Sequence, residues 1–386
     1  MNTVPRVAFL PDSYHEVNGA ARTCRELVAF AERRGYPFLS VRFAKRERFE
    51  KRGPLSVLEL RRSVLKVPVD PDLDFDLLFY RLHGSLLSRL RAFRPDIIHI
   101  TSPGDLGILG AVAARQLGVP LALSWHTNLH EFAARRLSRL PAGEAMARAV
   151  ESFVLNRVVW FFGRGDVLLA PNRELVELLR SRTGKPVFLM ARGIDTEAFN
   201  PKWRSRTDET FVVGYVGRLQ PEKNVRALAE VEQALVAAGV AHYRFSIVGG
   251  GAEADWLASN LRRATLHGVL KGEALSRAYA DMDVFVFPSR TDTFGNVIQE
   301  AHASGLPAVV TDAGGPKFLV DHGVNGFIAS SDADLARAVV RLAREPHTLA
   351  RMREAAALKA SMGWDHVFEG VYEAYGAALS ETGGNR

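Results

Sequence analysis

FVVGYVGRLQPEKNVRALAEVEQALVAAG, residues 211–239, joins an apolar strand-like run, a polar loop and an amphipathic helical pattern. It begins past the midpoint of a 386-residue chain, and the residues before it have already shown the same succession several times. The restart decides the fold. One hydrophobic core rarely organises so long a chain, so a second α/β unit is expected to open here.

Working back from residue 211, RVAFL (6–10), DIIHI (96–100), PLALSW (120–125) and VLLAP (167–171) read as strands. Between them lie helical stretches such as RTCRELVAFAERRG and LGILGAVAARQLG. Working forward, YRFSIVGGG, TLHGVL, DVFVFP and LPAVVTD alternate with AEADWLASNLRRA, EALSRAYADM and NVIQEAHASG. Strands alternating with helices predict parallel sheets built from βαβ units, two doubly wound domains in all. The boundaries read as 1–195 for the first domain, 196–209 for a linker and 210–363 for the second domain. Residues 364–386, with WDHVFEGVYEAYGAAL, form a terminal helix expected to pack back on the first domain.

Composition narrows the classes. Apolar residues make up 47% of the chain, enough for two cores. No stretch approaches the roughly 20 uninterrupted apolar residues of a membrane span. MNTVPRVAFLPD lacks the features of a secretory leader, which predicts a cytosolic protein. The single cysteine, Cys24, excludes a disulfide framework or a multi-cysteine metal site and reads as a small buried group on a helix. The net charge of +7 is concentrated: residues 33–66 carry eleven basic against three acidic side chains, interleaved with Phe43, Phe49, Leu55 and Leu58. Such a stretch suits an anionic membrane surface, with the protein peripheral on the inner face of the cell membrane; nucleic acid is not expected as a partner.

In open α/β sheets ligands bind beyond the carboxyl ends of the strands, so the loops after strands are where chemistry is sought. GRLQPEKN (217–224) offers Arg218 and Lys223 ahead of a helix start, a pairing suited to a diphosphate. VGGG (248–251) lets a ligand approach the backbone at Gly249 and Gly250, though it is not a GxGxxG fingerprint. Gly19, in VNGAA, would do the same after the first strand. SWHTN (124–128) places His126 directly after a buried strand, with Thr127 and Asn128 able to cap the next turn of chain. TDTFGNVIQE (291–300) sets Asp292 and Glu300 around a helix start near Gly295, with Thr291 or Thr293 as its cap and the backbone N–H groups of Phe294 to Val297 at its positive end. Carboxylates accept hydrogen bonds from vicinal hydroxyls, so this segment can flank phosphate donors with two sugar acceptors. No nucleophile triad and no HxxxH or DxD metal spacing is evident.

GRLQPEKN, followed about seventy residues later by an acidic residue, seven intervening positions and Glu300 with Phe-Gly between, resembles the family 4 retaining glycosyltransferases (GT4). The likeness spans the chain through the loop at 17–20, His126, RGID (192–195) and the W-D-x-V-F helix. It implies the GT-B fold: two facing Rossmann-like domains, an interdomain cleft, and a terminal helix crossing back to the first. It implies that Arg218 and Lys223 neutralise the donor diphosphate, that Glu300 holds the ribose, and that Asp292 holds the sugar hydroxyls. Thr293, Phe294, Gly295, Asn296 and Val297 would line the donor, with Gly249, Gly250 and Gly19 close to it. His126 matches the histidine facing the transferred sugar.

Asp292 stands where the family commonly has Glu, shortening the arm by about 1.5 Å, and VGGG lacks the acidic residue many relatives carry. TDTFGNV is similar to a branch associated with mannosyl and sulfoquinovosyl transfer to lipids. The expected activity is transfer of a mannose- or glucose-like hexose from a GDP- or UDP-sugar to a lipid-linked or glycan acceptor. Configuration would be retained by front-face displacement, with no cofactor and no metal. A nucleotide-sugar epimerase or hydrolase of the same fold, or a non-catalytic nucleotide-sugar-binding protein, are the competing readings.

Overall fold

The computed structural model describes residues 4–16, 18–70, 73–129, 143–359 and 363–383. The chain forms two units: Met1–Arg192 with Trp364–Arg386, and Gly193–Gly363.

In the first unit β1 (Val7–Leu10), β7 (Ile97–Ile100), β8 (Leu121–Ser124) and β9 (Val167–Ala170) are buried along their whole length. Continuous apolar strands of this kind belong to a parallel sheet covered on both faces. With β2 (Phe38–Phe43), β3 (Arg48–Arg52), β4 (Leu55–Leu60) and β10 (Val187–Leu189) they make an eight-stranded sheet of order β10-β9-β8-β7-β1-β2-β4-β3. Its pairs are parallel except β3 with β4. A separate hairpin pairs β5 (Lys66–Asp70) with β6 (Leu73–Asp76).

Two apolar clusters cover the two faces. One gathers Leu10, Ile98, Leu109, Leu123, Trp125 and Phe162. The other holds Phe9, Cys24, Leu27, Phe30 and Leu169, and the terminal helix Trp364–Gly383 completes it. That helix buries Trp364, Val367, Phe368, Val371, Tyr375 and Ala378, a stripe at three- and four-residue spacing. Its charged edge meets Arg33 and Arg34 through Asp365 and Glu369. Cys24 is buried on the helix Gly19–Arg33, where burial pushes its thiol up to about 12.

The basic segment 33–66 is built differently from its sequence reading. Leu55 and Leu58 are core residues of β4, not a lipid-facing edge. Arg42 pairs with Glu59 across β2 and β4 at 2.9 Å, and Arg48 and Arg52 both pair with Glu50. Phe49 stays exposed, with the Arg89 guanidinium over its ring. Much of the basic excess is therefore engaged in ion pairs within β3, across β2 and β4, and with the terminal helix.

The second unit carries β11 (Phe211–Val216), β12 (Tyr243–Val248), β13 (Ala264–Leu266), β14 (Val284–Phe287), β15 (Ala308–Thr311) and β16 (Gly326–Ala329) in the order β13-β12-β11-β14-β15-β16. All pairs are parallel. This is the doubly wound dinucleotide-fold order, with its reversal between β11 and β14. Residues 196–209, read as linker, are packed into this unit, as are 193–195, read with the first domain: Ile194 and Phe199 lie in its core, and Arg204 and Arg206 both reach Asp283. Among the described residues no helix is long and apolar enough to cross a membrane.

Candidate active site

The loops at the carboxyl ends of β11 and β12 meet because glycines remove what would keep them apart. A Cβ on Gly249, whose φ is +142°, would lie 1.8 Å from the Gly217 carbonyl oxygen, so only glycine allows the β12 loop to lie on the β11 loop. Leu219 N–H donates to the Gly250 carbonyl at 2.9 Å and fastens the two.

Lys223 closes the short turn Pro221–Lys223, and its ammonium reaches both Asp292 carboxylate oxygens at 2.8 Å. Both side chains are mostly buried. Burial works to raise the Asp292 pKa, but the Lys223 charge and hydrogen bonds, helped by Arg218, outweigh it and hold the carboxyl below its usual range. Asp292 is therefore ionised at neutral pH. A lysine ammonium has three donors and a carboxylate has about four lone-pair sites, so each partner keeps capacity for a ligand. Arg218 lies nearby, one third exposed, with its guanidinium 3.4 Å from Glu222.

The helix Asn296–Ala303 starts differently from the expectation of a threonine cap. Its N-cap is Gly295 in the left-handed region, φ +99°, a residue with no side chain of its own to cap the first turn. Thr291 instead directs its hydroxyl at the Glu222 carbonyl, at 3.4 Å. Phe294 is buried and anchors the turn, and Gly315 N–H donates to the Asp292 carbonyl at 2.6 Å. With Asn296 and Val297 opening the helix, the positive end of its dipole stands beside the Lys223–Asp292 pair. Glu300, one turn further on, is buried and accepts from the Tyr279 hydroxyl at 2.8 Å. Arg218, Lys223, Gly249, Gly250, Asp292, Thr293, Phe294, Gly295, Asn296, Val297 and Glu300 thus lie on loops and one short helix at the carboxyl end of one sheet.

In the first unit Gly19 is the first residue of the helix Gly19–Arg33, behind an Asn18 cap that accepts from Ala21 N–H at 2.8 Å. His126 follows β8 and is buried. Its Nε2 lies 2.8 Å from Ser124 Oγ, and Arg192, in the RGID stretch, brings a guanidinium N–H to Nδ1 at 3.3 Å. Burial, then the charges of Arg192 and His99, hold the imidazole well below its ordinary pKa, so it is neutral. Asn128 turns its Oδ1 to the Trp125 indole N–H, from which it accepts at 2.9 Å. Residues 130–142, which Thr127 and Asn128 lead into, lie outside the described residues.

Sequence reasoning passed over Asp12, at the carboxyl end of β1. It is buried beside Ser102 and Thr101, which follow β7, so it sits where the first sheet reverses direction. Burial raises its carboxyl to about 7. The only local signal was an acidic residue directly after a strand.

Residues 210–345 match the sequence family described as glycosyl transferases group 1, and residues 17–198 match glycosyltransferase family 4. The chain is 32% identical over 333 residues to a GDP-mannose-dependent alpha-mannosyltransferase of Corynebacterium glutamicum, covering 84% of this chain and 76% of that protein. It is 32% identical over 269 residues to a sulfoquinovosyl transferase of Arabidopsis thaliana, covering 64% of this chain and 49% of that one. Among solved structures, the sucrose-phosphate synthase of Thermosynechococcus elongatus superposes with a TM-score of 0.74 at 18% identity, over 97% of this chain and 100% of that one. The Anabaena protein HepE in complex with UDP superposes with a TM-score of 0.68 at 18% identity, over 96% of this chain and 100% of that one.

Proposed function

The chain belongs to the family 4 glycosyltransferases and has their GT-B fold, and from that premise we propose that it moves a hexose from a nucleoside-diphosphate sugar to a lipid-linked acceptor at a membrane surface, with retention of configuration. GDP-mannose is the favoured donor, because the similar proteins include GDP-mannose-dependent mannosyltransferases. The observation that carries the reading is the Lys223–Asp292 pair set against a helix start led by glycine. That arrangement supports the reading, because a cation and backbone donors suit phosphate and an adjacent carboxylate suits sugar hydroxyls.

In this reading Arg218 and Lys223 neutralise the diphosphate. The N–H groups of residues 294–297 share its charge, and Gly249 and Gly250 let it approach. Glu300 accepts from the ribose hydroxyls and Asp292 from the sugar. Gly19 and His126 are assigned to the diphosphate and the transferred sugar. His126 acts as a fixed neutral group, since Arg192 and Ser124 occupy its ring nitrogens. Cleavage of the sugar–phosphate bond puts negative charge on the leaving diphosphate, which takes up the acceptor proton as the new bond forms on the same face. The two cations and the helix dipole are already in place for that charge, which is where a preorganised site lowers a barrier. No metal is asked for.

A membrane-surface acceptor is supported by the helix Gly143–Phe162 more than by residues 33–66. Phe153 and Trp160 are both more than half exposed on it, with Arg157 and Arg164 lying over their rings. Aromatic rings flanked by arginines suit the headgroup level of an anionic bilayer. Flotation with anionic vesicles tests this surface: Phe153→Ala with Trp160→Ala should abolish binding, and binding that ignores both changes removes it.

The donor is tested by thermal shift with GDP-, UDP- and ADP-sugars. A cognate donor at 100 times its Kd adds about 2.7 kcal/mol; no shift with any of them sinks the donor assignment. Product NMR decides the stereochemistry, and an inverted anomeric centre refutes front-face displacement.

A further inference from the structure

His126 stands at one end of a buried line of polar groups that the donor chemistry does not use. From its Nε2 the line runs 2.8 Å to Ser124 Oγ, then 2.8 Å to His99 Nε2, and from His99 Nδ1 2.7 Å to the hydroxyl of Tyr375 on the terminal helix. Ser124, His99 and Tyr375 are fully buried. On the other ring nitrogen of His126, Arg192, also buried, has its guanidinium tied to the Met190 and Ala191 carbonyls as well as to His126.

Arginine can only donate, and that fixes every proton in the line. Its N–H points at His126 Nδ1, so Nδ1 accepts and the single proton of the neutral ring is on Nε2. That N–H donates to Ser124, whose own hydroxyl proton then serves His99 Nε2. With Nε2 accepting, the proton of His99 is on Nδ1 and donates to the Tyr375 oxygen. His99 is held neutral by burial, down to about 3, and burial keeps the Tyr375 phenol protonated. The charged groups facing His126 are Arg192 and, if it were protonated, His99; Cys24 lies beside Arg192 with its thiol uncharged.

We infer that Ser124, His99 and Tyr375 are positioning residues of the transferase site, holding the His126 ring in one orientation and one tautomer through a one-directional line of hydrogen bonds. The inference rests on the reading of His126 as the group beside the transferred sugar. It ties that group to the terminal helix, since Tyr375 reaches the site through His99. A ring fixed in this way offers the substrate geometry and no proton, so turnover is independent of His126 titration.

Nitrogen-15 spectra of the full-length protein test the line without an assay. They should show His126 protonated on Nε2 and His99 on Nδ1, both unchanged from pH 5.5 to 8.5; the opposite tautomer at either, or titration in that range, overturns it. Tyr375→Phe keeps the ring in the core and removes the acceptor. It should move the His99 proton to Nε2, shift the His126 resonances, and lower kcat about fivefold with the donor KM unchanged. Ser124→Ala should lower kcat further, and Ser124→Thr should restore part of the loss. If His126→Ala abolishes turnover while Tyr375→Phe and Ser124→Ala leave kcat unchanged, the line is packing alone and the inference falls, though the site reading stands. If His126→Ala leaves turnover intact, the placement of His126 fails, and the role of Tyr375 with it.

Discussion

The two units hold their candidate groups by opposite means. In the second, Lys223, Gly249 and Asp292 are brought together by backbone: carbonyls of one loop lie against glycines of the next, and the side chains need only reach across. In the first, His126 is held by side chains drawn from β7, β8, the RGID stretch and the terminal helix. A backbone-built site fails when a Cβ is added, whereas a site built from side chains fails when a hydrogen bond is removed.

The sharpest break comes from Lys223→Ala, which removes a cation aimed at developing charge and leaves Asp292 without its ammonium partner. Initial rates should show kcat/KM down by about 10² to 10³, with the fold retained. A loss no larger than a surface substitution would place Lys223 outside the site. Gly249→Ala should cost the second unit about 3 kcal/mol, from overpacking against Gly217 and a φ that L side chains rarely adopt. Hydrogen exchange should report that loss in residues 193–363 while the first unit keeps its protection. Uniform loss would mean that the units do not unfold separately.

Glu300→Gln retains an acceptor for Tyr279 and weakens the ribose contact, so donor KM should rise about tenfold, equivalent to about 1.4 kcal/mol. An unchanged KM would leave Glu300 as a core residue only.

A further effect is on pH and concerns the first unit. His99 and His126 have depressed pKa values when folded, so their stabilisation is complete above the unfolded value of 6.5 and is lost as pH falls below it. Asp12 is opposite: raised from 3.8 to about 7, it favours the folded state at low pH and loses that contribution as pH rises through this window. Between pH 4 and 6 the three leave a net release of one proton on folding. Asp12→Asn removes the opposing group and should steepen the acid loss by about 1.4 kcal/mol per pH unit. Denaturant midpoints across that window would show it, and a parallel pair of curves would exclude Asp12 as a titrating group.

Legibility in the sequence followed the same division. GRLQPEKN and TDTFGN could be read because each is one loop after one strand, and the sheet order brings those loops together. The cap was misread because Thr291 and Thr293 are good caps in isolation, while the turn past Pro316 requires the left-handed glycine at 295. β2 and β4 were hidden because the arginines that look like a free patch find acids on a neighbouring strand or helix, or on their own strand, pairings that only the fold reveals. Tyr375 could be recognised only as part of an apolar stripe. Nothing in its neighbours says that its hydroxyl meets His99, since that pairing depends on which face of which unit receives the helix.

That reception has a consequence for biosynthesis. The second unit is one unbroken segment, Gly193–Gly363, whereas the first is closed by residues 364–383, which emerge only after the whole of the second. Domains tend to fold as units in the order they are made. Here the nascent chain must carry a face of the first unit that lacks its terminal helix, with the apolar cluster of Phe9, Phe30 and Leu169 only partly covered, while the second unit is still being synthesised. The ribosome completes the second unit before it can finish the first.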